Sequence, residues 1–267
     1  MKRTTTWLAI SLLLIASTAQ ADLVTSWNYN IAGTFINSTF IDSTYSSGST
    51  ELSWGTPTND QSKLLYVNNP IGGTVNTYLG EGDFNSFVAP SVTLQHDNNE
   101  INSGSGSLIS TTISIGVTLT PTGGGTPYSN FFLFPILFYE TPNGPGYPDS
   151  MDIFALNFVG FPNLDFWYEG NEYFVNIFPV DEGSFSLIPQ NHIDVTTSMA
   201  ETNSVYNPLT YGTLGFVTRE ERSTQAPFAF TISSNPINNP VPEPSTMLLM
   251  GAGLLGLAAI GRRKARM

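Results

Sequence analysis

Ile113, Ile115, Val117 and Leu119 alternate with Ser114, Gly116, Thr118 and Thr120. This period of two predicts a strand with one face in a core and one in water. Val92 and Leu94, Val175 and Ile177, and Phe228, Phe230 and Ile232 repeat the pattern more briefly. Phe131 to Tyr139 has no polar alternate, so it reads as a stretch covered on both faces. Pro135 lacks a ladder donor and is expected to mark a bulge, an edge or a break between two short strands. Asp152 to Val159 and Leu164 to Tyr168 supply further strands, joined by a turn at Gly160-Phe161-Pro162-Asn163. Loops are expected at Ser103 to Ser107, Thr122 to Pro127 and Pro142 to Pro148. The tandem segments Phe35-Ile36-Asn37-Ser38-Thr39 and Phe40-Ile41-Asp42-Ser43-Thr44 would send Phe35 and Phe40 to opposite faces of one regular strand. A turn or bulge at Asn37-Ser38 is therefore expected.

Helix formers are scarce in this body, while β-branched and aromatic residues sit between Gly, Pro, Asn and Ser at short intervals. The fold class expected is all-β, a single-domain antiparallel β-sandwich of jelly-roll-like type over residues 22–238. No shift in composition divides that span, and all-β sandwiches commonly run to about 200–250 residues. The chain has no cysteine, which excludes thiol nucleophiles, thiolate zinc sites and iron–sulfur clusters. A body of this size can bury enough surface to be stable without disulfides.

The two ends have a different composition. Lys2 and Arg3 precede an apolar stretch from Trp7 to Ala16, and Ala19-Gln20-Ala21 offers a small-x-small cleavage site. Residues 1–21 thus read as a secretory signal peptide, with the mature chain starting at Asp22. At the other end, residues 239–246 form a prolyl spacer containing Pro242-Glu243-Pro244. An apolar segment over 247–261 follows, and then a basic tail at 262–267. Counted from Ser245 to Gly261, the apolar stretch just reaches the roughly 17 residues needed to span a bilayer. Arg262, Arg263, Lys264 and Arg266 are expected to stay cytoplasmic, which places the body outside.

Without its ends, the span from Asp22 to Val241 carries only Lys63, Arg219 and Arg222 against 20 acids, a net charge of −17. Such a body does not bind nucleic acid through phosphates. Nor does it adhere to anionic lipid or acidic polysaccharide without bridging cations.

Pro242-Glu243-Pro244, the short apolar segment and the arginine-rich end together resemble the PEP-CTERM sorting signal of Gram-negative bacteria. That resemblance implies recognition and removal of the tail by an exosortase, in cells that usually also export polysaccharide. It also implies a transient inner-membrane anchor, then the cell surface or extracellular matrix. A second likeness lies in Ser91-Val92-Thr93-Leu94-Gln95-His96-Asp97-Asn98, which resembles the signature of the THxN family of PEP-CTERM proteins. His96 and Asn98 match its histidine and asparagine, and Gln95 departs from its threonine. The likeness extends to Ser53-Trp54-Gly55-Thr56-Pro57, Glu140-Thr141-Pro142-Asn143 and Pro227-Phe228-Ala229-Phe230. It supplies location and class but no reaction.

Candidate chemistry is sparse. His96 and His192 are the two histidines, and no metalloprotease, nucleophile-elbow, P-loop or dinucleotide motif appears. His192, in Pro189-Gln190-Asn191-His192, reads as a surface turn. His96, Asp97 and Asn98 are the candidate ligand-binding residues, able to offer oxygens and an imidazole to a glycan or to calcium. The competing and stronger reading is a tight polar connection in which Asp97 and Asn98 bond to their own backbone. Trp27, Trp54, Trp167, Tyr168 and Tyr173 could form a sugar-stacking platform, or lie in the core. Glu140, Asp152, Asp165, Glu169 and Glu172 are nominally available to a glycosidase, which needs two carboxylates about 5–10 Å apart. No catalytic residue, metal site or cofactor is assigned. The expectation is a non-catalytic surface or matrix protein associated with exported polysaccharide. The alternatives are an extracellular glycan hydrolase and a calcium-dependent adhesin.

Overall fold

The computed structural model describes residues 22–42, 45–57, 60–102, 104–141, 151–156, 162–180, 185–202, 204–210 and 212–237. The expected signal peptide, the loop at 142–148, part of the turn at 160–163 and everything from 238 onward lie outside the described residues. That last stretch includes the sorting motif, the apolar segment and the basic tail.

Among the described residues the chain forms strands β1 (Ser26–Ile41), β2 (Tyr45–Ser47), β3 (Glu51–Trp54), β4 (Ser62–Tyr66), β5 (Ile71–Tyr78) and β6 (Val88–Asn98). There follow β7 (Ser107–Pro121), β8 (Tyr128–Tyr139), β9 (Met151–Leu156), β10 (Leu164–Tyr168), β11 (Asn171–Pro179) and β12 (Ser186–Leu187). Helix α1 (Gln190–Thr202) precedes β13 (Leu214–Arg219) and β14 (Arg222–Ser233). The body is mostly β, and the strands join into one large mixed sheet. One run, β12-β13-β9-β8-β7-β1-β5, is antiparallel throughout. So is the other, β10-β11-β14-β6-β4-β3-β2. The two runs are linked by a short parallel pairing, Thr77 with Ile232 and Tyr78 with Ser233.

Side chains from the two runs meet in a common core. Tyr29 packs against Phe230 at 4.7 Å between ring centroids, Trp54 against Phe138 at 4.9 Å, and Phe134 against Phe228 at 5.8 Å. The alternation in β7 holds in most positions: Ile113, Ile115, Val117 and Leu119 are buried and Gly116, Thr118 and Thr120 are more open, but Ser114, expected on the water face, is buried as well. In β1 the same period buries Trp27, Tyr29, Ile31 and Phe35. Gly33 shares that inward face, where a Cβ would stand 2.4 Å from the Tyr66 ring. The glycine leaves room for the ring against the strand. The tandem repeat resolves as expected, since β1 bulges after Ile36 and Asn37 takes a φ of 54°.

Two expectations fail. Residues Phe131 to Tyr139 are not two strands covered on both faces. They lie in one continuous strand, with Pro135 opposite Thr112 and with Phe131 and Leu133 66% and 59% exposed. Among the described residues the pairing with β9 runs from Ile136 to Tyr139, and Pro135 keeps its place in the strand opposite Thr112. His192 is not in a surface turn but in α1, 3% exposed. The buried positions His192, Ile193, Val195 and Thr196 give α1 an inward stripe. That stripe covers a second apolar cluster formed by Tyr139, Ile153, Ala155 and Ile188. Tertiary packing here outweighs the weak helix propensity of a segment rich in β-branched residues. No helix among the described residues is long and apolar enough to cross a membrane.

Candidate functional site

Strand β6 lies between β4 and β14, and its register sets His96 between Leu64 and Thr224 and Asp97 between Lys63 and Ser223. His96, Asp97 and Asn98 therefore continue a strand and do not form a tight connection. The same register separates them. His96 and Asn98 point inward and are fully buried, whereas Asp97 faces outward and accepts from Gln95 Nε2 at 2.8 Å and from Ser223 Oγ. One contiguous motif thus supplies two environments, and its three side chains do not converge.

Asn98 is structural: its Nδ2 donates to the Thr218 carbonyl at 2.9 Å, tying β6 to β13. His96 lies in an aromatic box. Its ring stacks parallel to Trp54 at 5.7 Å and meets Phe138 and Phe154 edge-on at 5.5 and 4.7 Å. Burial without a hydrogen bond to either ring nitrogen lowers its pKa from 6.5 to about 3, so the imidazole is neutral. Its Nε2 is 3.8 Å from Asp152 Oδ2, beyond hydrogen-bond range. Burial together with the nearby Glu140 raises the Asp152 carboxyl well above its usual range, which favours its protonated form beside the neutral imidazole.

The sequence placed Glu140 and Asp152 only among available acids, yet the fold brings them into one buried cluster. Asp152 Oδ1 accepts the Thr141 N–H at 3.0 Å, and Glu140 Oε2 accepts the Trp54 indole N–H at 2.8 Å. Burial raises Glu140 to about 8 against the opposing effect of the indole bond, with Glu220 adding to the rise. Glu220, between β13 and β14, is itself raised to about 7 by burial and by Glu221 and Glu100. A sequence signal for Asp152 did exist: in Met151-Asp152-Ile153-Phe154-Ala155-Leu156 it shares parity with Phe154 and Leu156, the face that enters the main core.

From the surface, this cluster is reached by a pocket of about 390 Å³ lined by Ile41, Ile101, Asn102, Ser105, Glu140, Thr141 and Tyr206, among others. Among the described residues no three His, Asp or Glu side chains are placed to hold one metal ion. The aromatic platform does not assemble. Trp27 sits within 5.7 Å, centroid to centroid, of Phe166, Tyr168 and Tyr173 in the core, and Trp54 packs on His96, while Trp167 is 65% exposed.

Residues 240–264 match the family model of the PEP-CTERM protein-sorting motif. The match covers the C-terminal segment containing Pro242, Glu243 and Pro244, and it marks the chain for export, a transient membrane anchor and exosortase processing. No curated protein matches the chain.

Proposed function

We propose that this chain is a non-catalytic protein of the surface or extracellular matrix of a Gram-negative bacterium, associated with exported polysaccharide and of the THxN type. The sorting motif at 240–264 carries the reading. The rest of the chain supports it. The antiparallel runs that meet through Tyr29–Phe230 and Phe134–Phe228 fit a sandwich body. The −17 charge suits solubility outside the cell.

The non-catalytic part draws support from the state of the acids. A retaining or inverting glycosidase requires one ionised carboxylate beside one protonated one. Glu140 and Asp152 are both pushed toward the protonated form by burial, and Glu140 is tied to the Trp54 indole. Fractionation of the native host tests the reading. The tail-free protein should co-fractionate with extracellular polysaccharide and release no reducing ends from it. Recovery in a polysaccharide-free fraction, or steady release of reducing ends, would overturn it.

A further inference from the structure

We propose that the pocket beside Glu140 binds a single neutral sugar ring, or the end of a neutral glycan, through the side chains of Ser105, Glu140 and Thr141. The observation behind this is a set of unspent hydrogen-bonding groups. Ser105 Oγ, Glu140 Oε1 and Thr141 Oγ1 are buried and have no hydrogen-bond partner among the described residues, and all three residues line the same pocket. Thr141 is only 4% exposed. Buried polar groups left without partners are costly, so three of them around one cavity point to an occupant that satisfies them.

The chemistry of the wall selects the occupant. Glu100 in the wall disfavours an anion, and among the described residues no three side chains are placed to hold a metal ion. Hydroxyl, amide and carboxyl groups from Ser105, Asn102 and Glu140 stand beside Ile41, Ile101 and the Tyr206 ring. A pyranose presents that same mixture, with hydroxyls at its edge and C–H groups on its faces. Because burial keeps Glu140 protonated up to about 8, its carboxyl donates as well as accepts, as a neutral polyol requires. The volume of about 390 Å³ lies at the small end of the ~300–1,000 Å³ range of ligand clefts, suited to an end unit and not to a long chain.

The inference deepens the proposed polysaccharide association, and rests on it for the source of the sugar. Saturation-transfer NMR with methyl glycosides of glucose, galactose and mannose tests it on the protein purified from its exporting host. At least one glycoside should show transfer. Thr141→Val and Ser105→Ala should each weaken it about tenfold, the loss of one good hydrogen bond. Neither should lower the melting temperature, since each removes an orphaned buried oxygen. Asp97→Ala, on the opposite face of β6, should bind as the parent does. Silence of all three glycosides, undiminished binding in both pocket variants, or saturation of the site by calcium alone would overturn the pocket assignment. Co-sedimentation with the host polysaccharide separates the two ideas. Polysaccharide binding that survives both variants leaves the association standing without this pocket, and glycoside binding without co-sedimentation leaves the pocket without the association.

Discussion

The indole N–H of Trp54 donates to Glu140 Oε2 at 2.8 Å, joining the end of β3 in one antiparallel run to the residue after β8 in the other. The bond gives a fully buried tryptophan its required acceptor and fixes one oxygen of a carboxyl that burial keeps protonated to about 8. Behind it Asp152 and the neutral His96 continue the cluster into the core. Among the described residues the charges that act on these carboxyls are other acids, which add to the effect of burial, so their protonation is coupled to folding.

That coupling has a sign. Glu140, Glu220 and Asp152 all bind protons more tightly in the native state. Their stabilising contribution is complete below about 4.5 and is lost as pH rises toward about 7 for Glu220 and about 8 for Glu140. His96 acts oppositely, but its contribution is intact above 6.5 and is lost only as pH falls toward about 3. Between pH 6.5 and 8 the change in stability should therefore be governed by Glu220 and Glu140. Thermal unfolding followed by circular dichroism should give a higher melting temperature at pH 6.5 than at pH 8. Each retained proton contributes at most about 1.4 kcal/mol per pH unit. Glu140→Gln, which keeps an acceptor for Trp54, should flatten the dependence. A parent protein equally stable at both pH values would contradict the coupling.

Asn98→Ala removes the Asn98 Nδ2 bond to the Thr218 carbonyl in a fully buried setting. It should cost roughly 1–3 kcal/mol, seen as a lower denaturation midpoint with unchanged slope. Asp97→Ala, one residue earlier on the outer face, should change stability by no more than about 0.5 kcal/mol. Equal effects of the two changes would be incompatible with the register of β6.

Neither ring nitrogen of His96 has a hydrogen-bond partner among the described residues, and the ring is enclosed by Trp54, Phe138 and Phe154. His96→Phe keeps a flat ring and removes two orphaned polar atoms, so its melting temperature should equal or exceed the parent's. A loss of several kcal/mol would mean that the imidazole has a polar role in the fold.

Most strands were legible because alternation is local: Ile113 to Leu119 states its buried face without knowledge of its neighbours. The same rule already separated Asp97 from His96 and Asn98, but reading the three residues as a turn suspended it. Phe131 and Leu133 misled for the opposite reason, since apolar side chains stand on an exposed sheet face where composition suggests a core. Helix α1 was hidden by Ile193, Val195, Thr196 and Thr197, whose β-branching reads as strand, while its inward stripe depends on the apolar cluster it covers. The pocket beside Glu140 was not legible at all. It joins Ile41, Ser105, Glu140 and Tyr206, residues from four separate parts of the chain.

The C-terminal signal makes its own prediction. Pro242, Glu243 and Pro244 precede an apolar segment and four cations in the last six residues, and the sorting-motif match includes all three. If the exosortase reads the carboxylate of Glu243, then Glu243→Ala removes recognition while leaving the apolar segment and the basic end unchanged. The expected product in the native host is a full-length precursor retained in the membrane fraction, identified by mass spectrometry of its C-terminal peptide. The parent should instead yield a C-terminus upstream of residue 247. The same processed terminus in both proteins would show that recognition does not run through this side chain. It would leave the two prolines or the apolar segment as the determinant.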